Sequence, residues 1–303
     1  RMAVGAALIG FLIDYLDYTS IKLAFVSADK TLILIALLMG FVNITLVYFR
    51  WKFLCSKFLE LQNTKIVRKS LFIGYASGIW TPIRIGEYFG RSFAIKDKSF
   101  SKIVIVTAVE KIFPLLVTIL IGGAASIIFI NQYYHVSALI TIALFAALFI
   151  LGFIFIALLN NREFWKNFII KKLKNIKLLK KFADDIGILR SLDNKIVLYV
   201  FLFSLLIYLN YTFQMALLIG AFSLHYSIMS FFLVSNVVMF SKAFVGPLTM
   251  GELGVRESAS VYFVGLIGIA GEAGFNAALF LFILNLVIPS LIGLFYLMKR
   301  SHA

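Results

Sequence analysis

A ten-residue pattern, Pro-x3-Gly-Glu-x3-Arg, occurs twice in a chain that is otherwise mostly apolar. The first copy is Pro82, Gly86, Glu87 and Arg91; the second is Pro247, Gly251, Glu252 and Arg256, 165 positions later. Residues four apart share a helix face, so the acid and the arginine of each copy can pair. Proline five residues ahead of the acid suits a first helical turn, where its missing N–H costs nothing. Glycine beside the acid lets another backbone or a headgroup approach closely.

Three chemistries fit such a copy. Arg91 and Arg256 can grip an anionic headgroup, because a guanidinium presents a fork of donors matched to phosphate and helix N-termini add dipole attraction. The glutamates would then orient the arginines or exchange protons. The same pairs can instead be buried bridges that pin the chain, or the glutamates can act as general bases. Arg84 offers a second cation or snorkels to the interface. Lys242, a few residues ahead of the second copy, is a further cation for the anion, and Glu257 is a second partner for Arg256. Glu110-Lys111 reads as a bridge between helices or as an ion element. Asp14 and Asp17 share a helix face and are placed to meet a hairpin arginine.

These residues are costly where they stand. The chain is 62% hydrophobic and only 14% charged, with a mean hydropathy of +0.99. Soluble domains carry about 25% charged residues, so the composition marks a polytopic membrane protein, in which intramembrane charge is usually functional. Asp14 and Asp17 inside the first apolar run, with no small-residue cleavage site after it, favour a span over a signal peptide. The net charge of +15 gathers in loops: ten Lys/Arg against four acids over 160–195, and six against one over 50–69. Basic loops between spans report the positive-inside rule and contact with anionic headgroups, and no nucleic-acid module accompanies them. A single cysteine, Cys55, excludes an internal disulfide and a cysteine metal cluster. Three scattered histidines and the absence of nucleophile-elbow, P-loop or dinucleotide patterns argue against a metal site, a cofactor or an enzyme.

The elements that must position the two copies follow from the apolar runs. About seven spans are expected, at 3–21, 31–50, 103–130, 136–159, 195–220, 254–271 and 276–297. Residues 70–102 are apolar in the middle with both flanks basic, and Gly78, Pro82 and Gly86 interrupt them, so the segment enters and returns. Residues 225–253, broken at Gly246-Pro247, read the same way. Irregular backbone at membrane depth is tolerated only against protein or a cavity. With loops 50–69 and 160–194 inside, the first re-entrant helical hairpin enters from the cytoplasm and the second from outside. Repeat one (1–130) and repeat two (136–271) are then inverted copies around a central site. The span 276–297 is extra and leaves Lys299 and Arg300 outside, against the charge rule.

TPIRIGEYFGR at 81–91 and GPLTMGELGVRESA at 246–259, set among apolar spans with a basic loop between, resemble the lysylphosphatidylglycerol synthase transmembrane region family. That is the flippase-like membrane domain of the bacterial multiple peptide resistance factor and its stand-alone relatives. The resemblance covers nearly the whole chain, although Glu252 stands where the family usually has a second glycine before the leucine. It implies a multi-pass protein of a bacterial cytoplasmic membrane that moves lipid between leaflets. The site residues would be Arg84, Glu87, Arg91, Glu252, Arg256 and Glu257, with Lys242 beside them. The ligand is expected to be an anionic phospholipid, a polyprenyl-phosphate or a glycolipid carrier. The resistance factor's aminoacyl transferase domain does not occur within these residues, so lysyl-lipid synthesis is not expected of them. A membrane enzyme on lipid-linked sugar or phosphate, or a partner subunit held through loop 160–194, is the alternative. The sequence leaves association into a homo-oligomer open.

Overall fold

The structure is a computed structural model that describes residues 2–160, 185, 193–225, 227–245 and 253–301. The protein is an all-α polytopic membrane protein. The described residues form helices and no strand, and six helices are long and apolar enough to cross a membrane. In chain order the elements are α1 (Met2–Leu16), α2 (Tyr18–Val26), α3 (Lys30–Phe58), α4 (Thr64–Gly78) and α5 (Gly86–Ala94). Then come α6 (Phe100–Val117), a π turn (Thr118–Gly122), α7 (Gly123–Tyr134) and α8 (Ala138–Asn160). The chain continues with α9 (Asn194–Ser223), α10 (Ile228–Val245), α11 (Val255–Leu266), α12 (Gly271–Phe282), a second π turn (Ile283–Val287) and α13 (Ile288–Ser301).

Short polar side chains start these helices by satisfying otherwise orphaned N–H groups. Asp29 accepts from the Thr31 and Leu32 amides at 2.8 and 3.1 Å, and Asn63 from those of Lys65 and Ile66 at 3.0 and 3.3 Å. Ser99 caps α6 and Asp193 caps α9 in the same way.

Two expected spans are not single long helices. The run 3–21 breaks at Asp17, which has φ 61° and a carboxylate that accepts from the Ser20 amide at 3.3 Å, so it caps α2. Neither Asp14 nor Asp17 meets a hairpin arginine among the described residues; both are exposed. The expected span 254–271 is the twelve-residue α11, only about 18 Å long at 1.5 Å per residue. That is short of the roughly 30 Å hydrocarbon core. A turn at Gly268, φ 79°, follows it, and the expected 276–297 lies within a longer helical run from Gly271.

α4 and α5 pack face to face. The reversal between them runs through Ile83 and Arg84, both left-handed at φ 55° and 56°, an arrangement that costs about 1–2 kcal/mol per non-glycine residue. The two arms meet through glycines at fourfold spacing on each side, Gly74 and Gly78 against Gly86 and Gly90. A Cβ on Gly86 would lie 2.1 Å from the Ser77 carbonyl oxygen, and one on Gly90 would lie 2.7 Å from that of Ile73. Small residues at this spacing let helix backbones touch. α10 likewise packs on α11, and residues 246–252 between them lie outside the described residues.

The arms also pack on distant helices. α4 lies along α13, where the Ser290 hydroxyl donates to the Tyr75 carbonyl at 3.1 Å, and a Cβ on Gly293 would fall 2.0 Å from that of Phe72. α10 lies along α7 and the first π turn, and α3 runs along α9 in the centre.

Candidate functional site

The first copy forms the hub of a buried charge network. Arg91 is fully buried; its Nη2 donates to Glu87 Oε1 at 2.5 Å and its Nη1 to Glu110 Oε2. Glu110, on α6, also accepts from Arg50 Nη2 of α3 at 3.0 Å, and Arg50 Nη1 donates to Ser204 Oγ of α9 at 3.0 Å. Glu87 Oε2 takes Lys111 Nζ at 2.7 Å and Arg84 Nη2 at 3.3 Å. The Arg91 guanidinium lies 3.9 Å over the Trp51 ring, whose Nε1 donates to Ser70 Oγ at 2.9 Å. The predicted Glu87–Arg91 pair is present, and two α6 residues complete it.

The second copy is arranged differently. Arg256 is fully buried on the first turn of α11; its Nη2 donates to Glu257 Oε1 at 2.7 Å and its Nη1 to the Tyr211 hydroxyl at 3.2 Å. Glu257 Oε2 accepts the Gly254 amide at 2.7 Å, so it caps the helix while it holds the arginine. Gly254 has φ 86°, a backbone open to glycine at little cost. Pro247, Gly251 and Glu252 lie outside the described residues, and with them the predicted Glu252–Arg256 pair.

A cavity of about 380 Å³ lies between the α4–α5 reversal and the end of α10. Ile83 and Arg84, from the reversal of the first hairpin, and Lys242 and Ala243, from the end of α10, line it together with Lys111 and Arg50. Arg84 also sits 5.0 Å over the Tyr75 ring, and Lys242 Nζ lies 5.7 Å from the Tyr211 ring centre. Arg91 and Arg256 are behind the cavity wall rather than on it: neither lines the space, and both are without exposure. Among the described residues, six cations (Arg50, Arg84, Arg91, Lys111, Lys242, Arg256) stand against three carboxylates (Glu87, Glu110, Glu257). Such a surplus in a membrane interior favours an anion.

Sequence reasoning missed Arg50, Asn43, Asn285 and the cavity tyrosines. Arg50 closes an apolar run and was assigned to the basic loop 50–69, but α3 continues to Phe58 and buries it. The sign available was the apolar continuation after Lys52. Asn43 and Asn285 are lone amides within apolar spans, a placement that itself points to function. The loop 160–194 lies almost wholly outside the described residues; Asp185 within it accepts from Ser99 Oγ at 3.0 Å and from Ser101 Oγ. Among the described residues no group of His, Cys, Asp and Glu is placed to hold a metal ion.

No curated protein and no solved structure matches the chain. The model of the lysylphosphatidylglycerol synthase TM region matches residues 1–293, nearly the whole chain, and the chain belongs to that family.

Proposed function

We propose that the protein is a lipid translocase that holds an anionic lipid headgroup between its two hairpins. The observation that carries this reading is the cavity itself, where Arg84 of one hairpin, Lys242 of the other and Lys111 of α6 share a wall. Those three cations contact the phosphate, while Arg91 and Arg256 hold the hairpins that present them. Glu87 and Glu110 are each committed to at least two cations, which favours transport over general-base chemistry.

An inverted arrangement would permit alternating access; with α11 too short to span, its repeats are drawn at 2–134 and 138–301 in place of 1–130 and 136–271 with an extra span. Each half then consists of an opening segment, a long span, a hairpin and a second long span interrupted by a π turn. The first arm of each hairpin packs on the closing span of the other half. With loops 50–69 and 160–194 inside, the second hairpin enters and leaves on the outer face, and the run from Gly271 returns to the cytoplasm. Lys299 and Arg300 are then inside, in keeping with the charge rule. Cysteines placed at Gln62 and Ser301 should both react with an impermeant maleimide from the cytoplasmic face alone; Cys55 is fully buried and adds little background. Labelling of position 301 from outside would refute this topology.

Transport is tested in proteoliposomes with headgroup-quenchable phosphatidylglycerol. A hydrogen bond to a charged group is worth about 1.5–3 kcal/mol, so Arg84→Gln and Lys242→Gln should each slow leaflet exchange roughly ten- to a hundredfold. The unfolding midpoint should move little, and Lys242→Arg should keep most of the rate. Undiminished exchange by the folded double variant would end the proposal.

A further inference from the structure

Three amides, two of which line the cavity, are joined in a fixed sense. Gln214 Nε2 donates to the Ala36 carbonyl at 2.8 Å, which leaves its Oε1 to accept from Asn285 Nδ2 at 2.9 Å. Asn285 Nδ2 also donates to the Leu281 carbonyl at 3.1 Å, so its Oδ1 must be the group that accepts Asn43 Nδ2 at 2.7 Å. An amide has one acceptor end and one donor end, and the Ala36 carbonyl accepts only. The polarity of the whole relay is therefore set from that carbonyl, and the last acceptor, Asn43 Oδ1, has no choice of direction. Asn43 lines the cavity and is 5% exposed, and its Oδ1 is buried without a hydrogen-bond partner. A buried acceptor left unmet costs about 1–3 kcal/mol, a cost that a ligand can remove by donating to it.

The ligand's donor is constrained by what else lines the space. Arg50, Arg84, Lys111 and Lys242 make it cationic, so an ammonium donor would meet like charge, which costs several kcal/mol. A neutral hydroxyl meets no such penalty. The cavity also holds on the order of ten waters or more, more room than a phosphate group fills. We propose that the site takes a lipid phosphodiester whose headgroup is a neutral polyol or sugar, with the phosphate on the cations and a hydroxyl donating to Asn43 Oδ1. This deepens the translocase reading and rests on its headgroup site, but it concerns recognition and not movement.

The test is lipid retention by the full chain in detergent, read by native mass spectrometry at equilibrium and without leaflet exchange. Phosphatidylglycerol should be retained roughly tenfold over phosphatidylmethanol, which has the same charge and no hydroxyl. It should be favoured by at least that factor over phosphatidylethanolamine and over its own lysyl ester, which add one and two ammonium groups. A polyprenyl phosphohexose against the matching polyprenyl methyl phosphate repeats the comparison on the other lipid class; preference in either pair supports the proposal and identifies the source. Asn43→Ala should bring the hydroxyl preference close to one. Equal retention of hydroxylated and methyl diesters by the wild-type chain overturns the proposal without need of any variant, as does an unchanged ratio in folded Asn43→Ala. Leaflet exchange that fails while the preference stands would overturn the translocase reading alone.

Discussion

Replacing Glu110 by glutamine should destabilise the protein by about 3–5 kcal/mol, the usual cost of removing one partner from a buried ion pair. Glu110 is unexposed and lies between Arg50 and Arg91, both buried. Its loss leaves two guanidinium groups without that carboxylate, and Arg50 then keeps only the Ser204 hydroxyl among its described partners. Unfolding followed by circular dichroism in detergent should show the loss as a lower midpoint. Lys98→Gln breaks, among the described residues, the exposed contact with Glu60 at 3.5 Å and should barely move that midpoint. Adding Arg50→Met to Glu110→Gln removes one of the stranded cations and should recover part of the loss. A Glu110→Gln midpoint equal to that of Lys98→Gln would show that the network is not what holds α3, α5 and α6 together.

Gly86→Ala should be the most damaging small substitution in the hairpins. Its Cβ would stand 2.1 Å from a backbone oxygen of Ser77, and backbone cannot swing aside as a side chain can. Overpacking of this kind costs about 1–3 kcal/mol and sometimes more. The displacement also acts on chemistry, because Glu87 is the next residue and positions both Arg84 and Lys111. Leaflet exchange should therefore fall along with stability. Gly265→Ala is the matched control: nothing lies within 4 Å of its Cβ, and alanine is the better helix former by up to about 1 kcal/mol. Similar losses from both substitutions would refute the close-packing account.

Much of this architecture was legible because membrane spans announce themselves by length and composition. Asp29, Asn63, Ser99 and Asp193 mark helix starts that hydropathy alone blurs. The first hairpin followed from basic flanks and from Gly78, Pro82 and Gly86. The short α11 did not stand out, because it is apolar and runs on into the apolar α12 with a turn at Gly268 between them. Hydropathy cannot tell a short arm plus a long helix from two spans. At the site, Glu87–Arg91 is a local pair that periodicity reveals. Arg50–Glu110 joins residues 60 positions apart, and the relay from Asn43 through Asn285 to Gln214 joins three helices. Such contacts are set by tertiary packing, which no spacing rule reaches.

The packing of α4 on α13 also bears on the order in which the chain can be made. α4 packs on α13, and 210 positions separate Gly78 from Ile288. At about 5–20 residues per second, the ribosome needs roughly 10–40 s to supply that partner. Until then the first hairpin, with its glutamate and arginines, must wait at the membrane with one face uncovered. α13 emerges long after the helix it covers, so a chain stopped before Ile288 would lose the packing on α4 as well as α13 itself.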